Sequence, residues 1–396
     1  MNALTIKNLD VVFGQSLDKS LALLDEGKTR QEIQEATGDV VGVHNASLTV
    51  EKGEICVLMG LSGSGKSSLL RAVNGLNPVT RGSLEVNLGE EQVNLAGIDE
   101  KSLRDLRSHR ISMVFQKFAL MPWLSVVDNV AFGLEMQGMG KAERRKHAEE
   151  KLELVGLSEW KDKFPHELSG GMQQRVGLAR AFTMDSDILL MDEPFSALDP
   201  LIRNQLQDEL IELQRKLNKT IVFVSHDLDE ALKIGTNIAI MESGKIIQHG
   251  KPEDIVLRPE NQYVEDFVAH TNPLNVLRGR SLMTSLSDLT RVGDTIVLKR
   301  HEQTVLKTNE QGLVVRAQRQ EQDLPLVKWS KGDSIEALAV DSVVLASADI
   351  SMRHALEIRY QTGQPVLLSE NEKVIGVLCD NDFYHALLGK HFSQAA

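Results

Sequence analysis

Residues 60–67 read G-L-S-G-S-G-K-S, directly after the continuous apolar run 55–59 and directly before a helix expected from Ser68 to Val73. No other segment limits the fold so much. An unbroken apolar run suits a strand covered on both faces, which places a parallel sheet with flanking helices at the centre of the chain. The loop after it has the composition of a phosphate cradle. Gly60, Gly63 and Gly65 lack a Cβ, so the backbone N–H groups from Gly60 through Leu61, Ser62, Gly63, Ser64 and Gly65 can curl around an anion, and the helix N-terminus at Lys66, Ser67 and Ser68 adds positive partial charge. Lys66 is the candidate for neutralising the β- and γ-phosphates of a nucleotide, and the Ser67 hydroxyl is the candidate ligand for Mg²⁺. An ordinary glycine-rich turn would need neither the strand before it nor the helix behind it.

Up to about residue 270, helical stretches alternate with apolar strands at 111–115, 188–191, 221–224 and 238–241, an α/β order with a largely parallel sheet. Strands at 4–13 and 44–50 precede the phosphate loop, and an insert at about 15–43 separates them. There Leu17, Leu21 and Leu24 recur at helical spacing, and Thr29 with Glu32 forms a capping box for a second short helix ending near Gly38. The strand 188–191 ends in Asp192 and Glu193, at the edge where ligands bind in such sheets. Asp192 is expected to hold Mg²⁺, and Glu193 to position or polarise an attacking water.

Composition narrows the use of this fold. The 396 residues leave room for two or three domains, and 44 Lys+Arg against 56 Asp+Glu give a net charge of −12 with no basic block, which argues against a nucleic-acid partner. Cys56 and Cys379 stand in apolar runs and are expected to be free thiols of a reducing compartment. No leader pattern and no run of ~18 apolar residues is present, so the chain is expected to be cytoplasmic unless a partner holds it at a membrane.

Leu168 to Gln174, L-S-G-G-M-Q-Q, is expected to open a helix at Met172, so that Ser169, Gly170 and Gly171 form a second anion-binding helix N-terminus. One nucleotide has no need of two. Together with the phosphate loop, this order resembles the ATP-binding cassette (ABC) ATPases, P-loop NTPases with a helical signature subdomain. The resemblance implies ATP and Mg²⁺ as cofactors and a head-to-tail homodimer in which the signature of one copy caps the γ-phosphate held by the other. It also assigns Gln116 as the Q-loop residue near the metal, Ser196 to Asp199 as the D-loop, His226 as the switch histidine and Phe13 as the aromatic that stacks on adenine. Alone, Gln116 would read as a surface amide, His226 as a loop histidine and Phe13 as core. Met172 and Phe13 depart from the commoner Gln and Tyr of the family, but neither removes a charge or a phosphate donor.

The early insert, A-L-M-P-W at 119–123, D-E-P-F-S-A-L-D-P-L-I-R at 192–203 and S-H-D-L-D-E-A-L at 225–232 resemble the quaternary-amine uptake branch, and H-T-N-P-L-N-V-L at 270–277 resembles its choline systems most. This second resemblance implies an importer ATPase at the cytoplasmic face of the inner membrane, with choline first and glycine betaine second as substrate. Its partners would be integral membrane permease subunits, which dock at 117–123, and an external solute-binding protein. A soluble cassette acting on nucleic acid or ribosomes is the alternative. The division expected is an ATPase domain at 1–270, a linker at 271–285 and a smaller α+β domain at 286–396. The end of that domain, G-V-L-C-D-N-D-F at 376–383, resembles a cystathionine-β-synthase-type (CBS) module of regulatory character.

Overall fold

A computed structural model describes residues 1–388 except 90–91, 116–118, 197, 270, 293–294, 300–303, 309–313, 321 and 372. Gln116, the first two residues of the expected permease-docking stretch and His270 therefore lie outside the described residues. The chain forms two compact units, Met1–Pro252 and Glu253–Ala396.

The first unit contains two sheets. In chain order its strands are β1 (Asn2–Phe13), β2 (Val40–Glu51), β3 (Ile55–Met59), β4 (Arg81–Asn87), β5 (Gln92–Asn94), β6 (Ile111–Val114), β7 (Ile188–Asp192), β8 (Thr220–Val224), β9 (Asn237–Glu242) and β10 (Lys245–Gly250). Strands β2-β1-β4-β5 make an antiparallel sheet, and β10-β9-β3-β8-β7-β6 make a second sheet that is parallel except at β10. Every residue of β3, β7 and β8 is buried, as expected of parallel strands covered on both faces. One continuous core joins the sheets. It takes Leu4, Ile6 and Leu9 from β1, Leu48 and Val50 from β2, Cys56 and Leu58 from β3, Leu190 from β7 and Val222 from β8, with Leu69, Leu70 and Val73 of the helix Lys66–Val73 between them. A separate helical core joins the helices Val126–Met136, Lys141–Leu154 and Gly170–Thr183 through Val127, Val130, Leu152 and Val176.

The early insert is a helical hairpin, α1 (Leu17–Asp25) and α2 (Arg30–Thr37). Its second helix starts at the expected capping box of Thr29 and Glu32 and stops at Gly38, whose φ of 76° suits glycine. Leu24 and Ile33 pack on Val12 and Val41, so the hairpin seals against the strands it separates. The following strand begins at Val40 rather than 44, because Val40, Val41 and Val43 pair with Phe13, Val12 and Val11.

Among the described residues of the second unit there are two five-stranded sheets. One is antiparallel and runs through Arg291–Val292, Thr295–Lys299, Thr304–Thr308, Val314–Arg319 and Gln322–Leu324. The other contains Val343–Ser347, Val366–Glu370 and Lys373–Leu378 flanked by the helices Met352–Thr362 and Asp380–Leu388, which is the strand-helix-strand-strand-helix order expected from 343 onward. The segment 271–285, expected as a linker, is folded into this unit. Leu274, Leu277 and Leu282 lie in its core, Thr284–Ser285 pairs with Gly376 and Val377, and the Gly279 N–H donates to the Ile350 carbonyl at 2.8 Å. Leu257 packs on the same core and the Ser281 hydroxyl donates to Glu253, so the compact unit begins well before residue 270.

Asp39 ties the two ends of the hairpin insert together. It is 2% exposed and accepts from the Ser20 hydroxyl at 2.7 Å, the Gln15 N–H at 3.1 Å and the Ser16 N–H at 3.2 Å. The Ser20 hydrogen bond, with those from Ser16 and Gln15, holds its pKa below the usual carboxylate value in spite of desolvation. Such a group contributes stability above its unfolded pKa, about 3.9, and loses it as pH falls through the lower folded value. Asp39→Asn is therefore expected to lower the thermal midpoint by a constant amount between about pH 5 and 8, and the gap to wild type should narrow below about pH 4. Scanning calorimetry across that range checks both arms; a gap that widens in acid would contradict the assignment.

Candidate functional site

The parallel order carries three loops to one edge. β8 lies between β3 and β7, with Leu58 opposite Val224 and Val224 opposite Asp192. At that edge a cavity of about 440 Å³ is lined by Phe13, Ser62, Gly63, Gly65, Lys66, Ser67, Ser68, Glu193 and His226, all expected from sequence, and by Arg30, Val40 and Gly42, which were not.

Two glycines of the loop have no substitute. Gly60 has φ 143° and a Cβ there would lie 2.1 Å from the Met241 carbonyl oxygen; at Gly65, φ 105°, it would lie 2.4 Å from that of Gly42. Inside the loop, Lys66 Nζ donates to the Gly60 carbonyl at 2.7 Å and the Leu61 carbonyl at 3.0 Å, and it lies 3.5 Å from Ser64 Oγ. Ser64 is buried; its N–H donates to the Leu61 carbonyl and its own carbonyl accepts from Gly244. Burial lowers the pKa of Lys66, while Glu193 and Asp192 pull it back up. Its ammonium is thus held ready by backbone oxygens, with two carboxylates near.

Ser67 and Arg71 stand one turn apart on the helix Lys66–Val73, and both reach Asp192. Ser67 Oγ donates to Asp192 Oδ1 at 2.8 Å and Arg71 Nη2 to Asp192 Oδ2 at 3.2 Å. A hydroxyl and a carboxylate brought together are hard oxygen donors of the kind Mg²⁺ takes, so these residues fit the ion.

Glu193 has φ 46°, a left-handed conformation that costs a non-glycine residue of order 1 kcal/mol. Three contacts hold it there. Its N–H donates to the Val224 carbonyl at 3.1 Å, Gln174 Nε2 donates to the Pro194 carbonyl, and Phe195 packs on Phe223 with ring centroids 5.7 Å apart. Its carboxylate faces His226, with Oε2 3.3 Å from Nδ1. The loop carrying His226 is pinned from below. Ser225 Oγ donates to Glu230 at 2.5 Å, Gln207 Nε2 donates to the same carboxylate at 3.0 Å, and Arg203 pairs with Asp227 at 3.1 Å. Burial raises the pKa of Glu230, against the opposing pull of the two hydrogen bonds.

Ser169, Gly170, Gly171 and Asp199 do not line this cavity. Ser169 caps the helix Gly170–Thr183, accepting from the Met172 N–H, so the helix opens two residues earlier than the sequence suggests. Asp199 caps the helix Pro200–Leu217, accepting from the N–H groups of Leu201 and Ile202. Among the residues missed, Arg30 sits at the start of α2 and donates to the Gly63 carbonyl at 2.9 Å, carrying the insert to the phosphate loop. Arg71 had one visible signal, its spacing of four from Ser67.

Phe13, exposed on 37% of its surface, is packed against Gly42, where a Cβ would lie 2.7 Å from its ring and 3.1 Å from Ser68. Gly42→Ala is expected to leave the fold intact, displace the ring and weaken ATP binding about tenfold, roughly 1.4 kcal/mol. Titration with a fluorescent ATP analogue measures it, and unchanged affinity would remove Phe13 from the site.

A family model described as ABC transporter matches residues 43–196. Along its whole length the chain is 41% identical to the whole of the glycine betaine/carnitine transport ATP-binding protein GbuA of Listeria monocytogenes. It is 51% identical over 264 residues to the glycine betaine/proline betaine transport system ATP-binding protein ProV of Escherichia coli, covering 67% of this chain and 65% of that one. Among solved structures, the dimeric ATP-binding cassette MJ0796 in a post-hydrolysis state, bound to ADP and Pi, superposes with a TM-score of 0.53 at 29% identity, over 63% of this chain and 98% of that one. The sheet order, the phosphate loop and these likenesses agree: the chain belongs to the ATP-binding subunits of ABC transporters, ATPases that couple hydrolysis to transport.

Proposed function

We propose that the chain binds ATP in this cavity, hydrolyses it as one half of a head-to-tail homodimer, and thereby energises uptake of a small quaternary amine. The observation that carries the reading is the convergence of Lys66, Ser67 and the Glu193–His226 pair on one cavity, with Asp192 hydrogen-bonded to Ser67 behind it and the Ser169–Gly171 helix start outside it. The loop amides from Gly60 to Gly65 cradle the phosphates, Lys66 exchanges carbonyl partners for the β- and γ-phosphates, and Phe13 stacks on adenine. Ser67, Asp192 and Gln116 hold Mg²⁺, which when bound neutralises charge on the phosphate oxygens. Glu193 orients the attacking water and accepts its proton, and His226 fixes the carboxylate and meets the γ-phosphate. Ser169, Gly170 and Gly171 of a second copy cap that phosphate, with Asp199 at the junction between copies. The dimeric state of MJ0796 with ADP and Pi supports this arrangement.

Glu193→Gln keeps the side-chain shape and removes the base. It is expected to retain ATP affinity, to lower turnover by about 10²- to 10⁴-fold and to accumulate as a dimer holding two ATP molecules. Light scattering with ATP and Mg²⁺ reads the dimer, and near-normal hydrolysis would count against Glu193 as the base.

Among the described residues no helix is long and apolar enough to cross a membrane, so the proposal needs integral permease subunits and an external solute-binding protein, with this chain at the cytoplasmic face of the inner membrane. The net charge of −12 speaks against nucleic acid or ribosomes as the target. Relatives named for glycine betaine, carnitine and proline betaine support a quaternary amine and favour glycine betaine over choline, which the sequence placed first. The likeness to GbuA runs through both units; the regulatory part proposed for the second rests on the resemblance of residues 376–383 to a CBS module. A quaternary ammonium has no hydrogen-bond donor, so selectivity belongs to an aromatic cage in the binding protein. The complex, purified with its co-isolated subunits and reconstituted, is expected to show ATPase stimulation by binding protein loaded with glycine betaine or choline. Stimulation by a sugar or metal alone would overturn the substrate class and leave the ATPase reading standing.

A further inference from the structure

Glu54, Cys56 and His249 each offer one ligand atom, and these atoms all lie within 4.8 Å of one another. Among the described residues no other trio of His, Cys, Asp or Glu does so. The sheet explains their meeting. Glu54, the residue just before β3, and Cys56, its second residue, are two apart and share a face. His249 on β10 lies opposite Ala239 of β9, which lies opposite Leu58 of β3, so only a strand with a methyl side chain separates the imidazole from β3.

The carboxylate supplies an independent observation. Glu54 is 7% exposed; its Oε2 accepts from the Glu51 N–H at 2.7 Å, and its Oε1 is buried with no hydrogen-bond partner. A buried carboxylate oxygen left unpaired is unfavourable and is relieved by a cation. Cys56 is fully buried while His249 reaches solvent, so the histidine marks the way in.

We propose that Glu54, Cys56 and His249 form a site for one Zn²⁺ ion, with water in the fourth position. One sulfur, one nitrogen and one oxygen suit this borderline-soft ion and not Mg²⁺, which prefers oxygen alone. Zn–ligand bonds of about 2.0–2.3 Å in a tetrahedron place ligand atoms roughly 3.3–3.8 Å apart, so no pair of the trio has to close by more than about 1.5 Å on binding. The thiol is pushed up by burial and by Glu54; Zn²⁺ bonds to the thiolate, and the proton leaves to solvent. This site stands at the opposite end of β3 from Gly60, about 17 Å away, so the ion takes no part in hydrolysis. It fastens edge strand β10 to β3 across β9.

The test uses metal-freed full-length protein titrated with Co²⁺, whose sulfur-to-cobalt charge-transfer absorption reports thiolate ligation. The expected result is saturation at one Co²⁺ per chain in wild type and in Cys379→Ser, and displacement by Zn²⁺ but not by Mg²⁺. Cys56→Ser should lose the band, and Glu54→Gln and His249→Ala should bind at least tenfold more weakly. His249 is exposed, so that variant keeps the test open if a substitution in the buried pair unfolds. No band in wild type, a band that survives Cys56→Ser, or unchanged binding in His249→Ala would each overturn the site.

Discussion

Three parallel strands ending side by side are what the rest of the first unit depends on. β3 runs into the phosphate loop, β8 into the loop of His226, and β7 into Asp192 and Glu193. Parallel neighbours need crossovers, so their C-terminal loops all open on the same edge of the sheet. With Leu58, Val224 and Asp192 in register across the three strands, residues more than a hundred positions apart meet around one cavity. Burial of β3, β7 and β8 on both faces leaves little freedom to slip, since moving any one of them would empty part of the core.

Charge at this edge is arranged in opposition. Lys66 and Arg71 bring two cations to Asp192 and Glu193, and Arg30 adds a third from the hairpin insert. The backbone carbonyls of Gly60, Leu61 and Gly63 hold Lys66 and Arg30 in place. On the proposed function, Lys66 would exchange these neutral acceptors for the charged oxygens of a polyphosphate. Arg30 ties the insert to the loop through the Gly63 carbonyl.

How much the sequence disclosed depends on how far apart the partners stand. The phosphate loop, the capping box of Thr29 and Glu32, the strand before the loop and the helix after it depend on near neighbours, and all were legible. Arg30 was not, because its partner Gly63 lies beyond the whole of β2 and β3. The start of β2 at Val40 escaped notice because it is set by pairing with β1 rather than by its own pattern. In the second unit the antiparallel sheet from 291 to 324 carries many polar residues, and its alternation is weak, so only the apolar elements from 343 onward could be read. The segment 271–285 shows the same limit: its leucines reveal themselves as core only once Ile350, Met352 and Leu368 surround them.

The left-handed backbone of Glu193 has an evolutionary corollary. Glycine would occupy that conformation without penalty, so, with Glu193 as the proposed base, substitution there should raise the melting temperature and lower turnover. On that proposed role, screens that reward thermal tolerance alone would drift toward the less active form, while selection for turnover would keep a carboxylate at the position. The strain at one residue thus separates what makes this chain durable from what makes it useful.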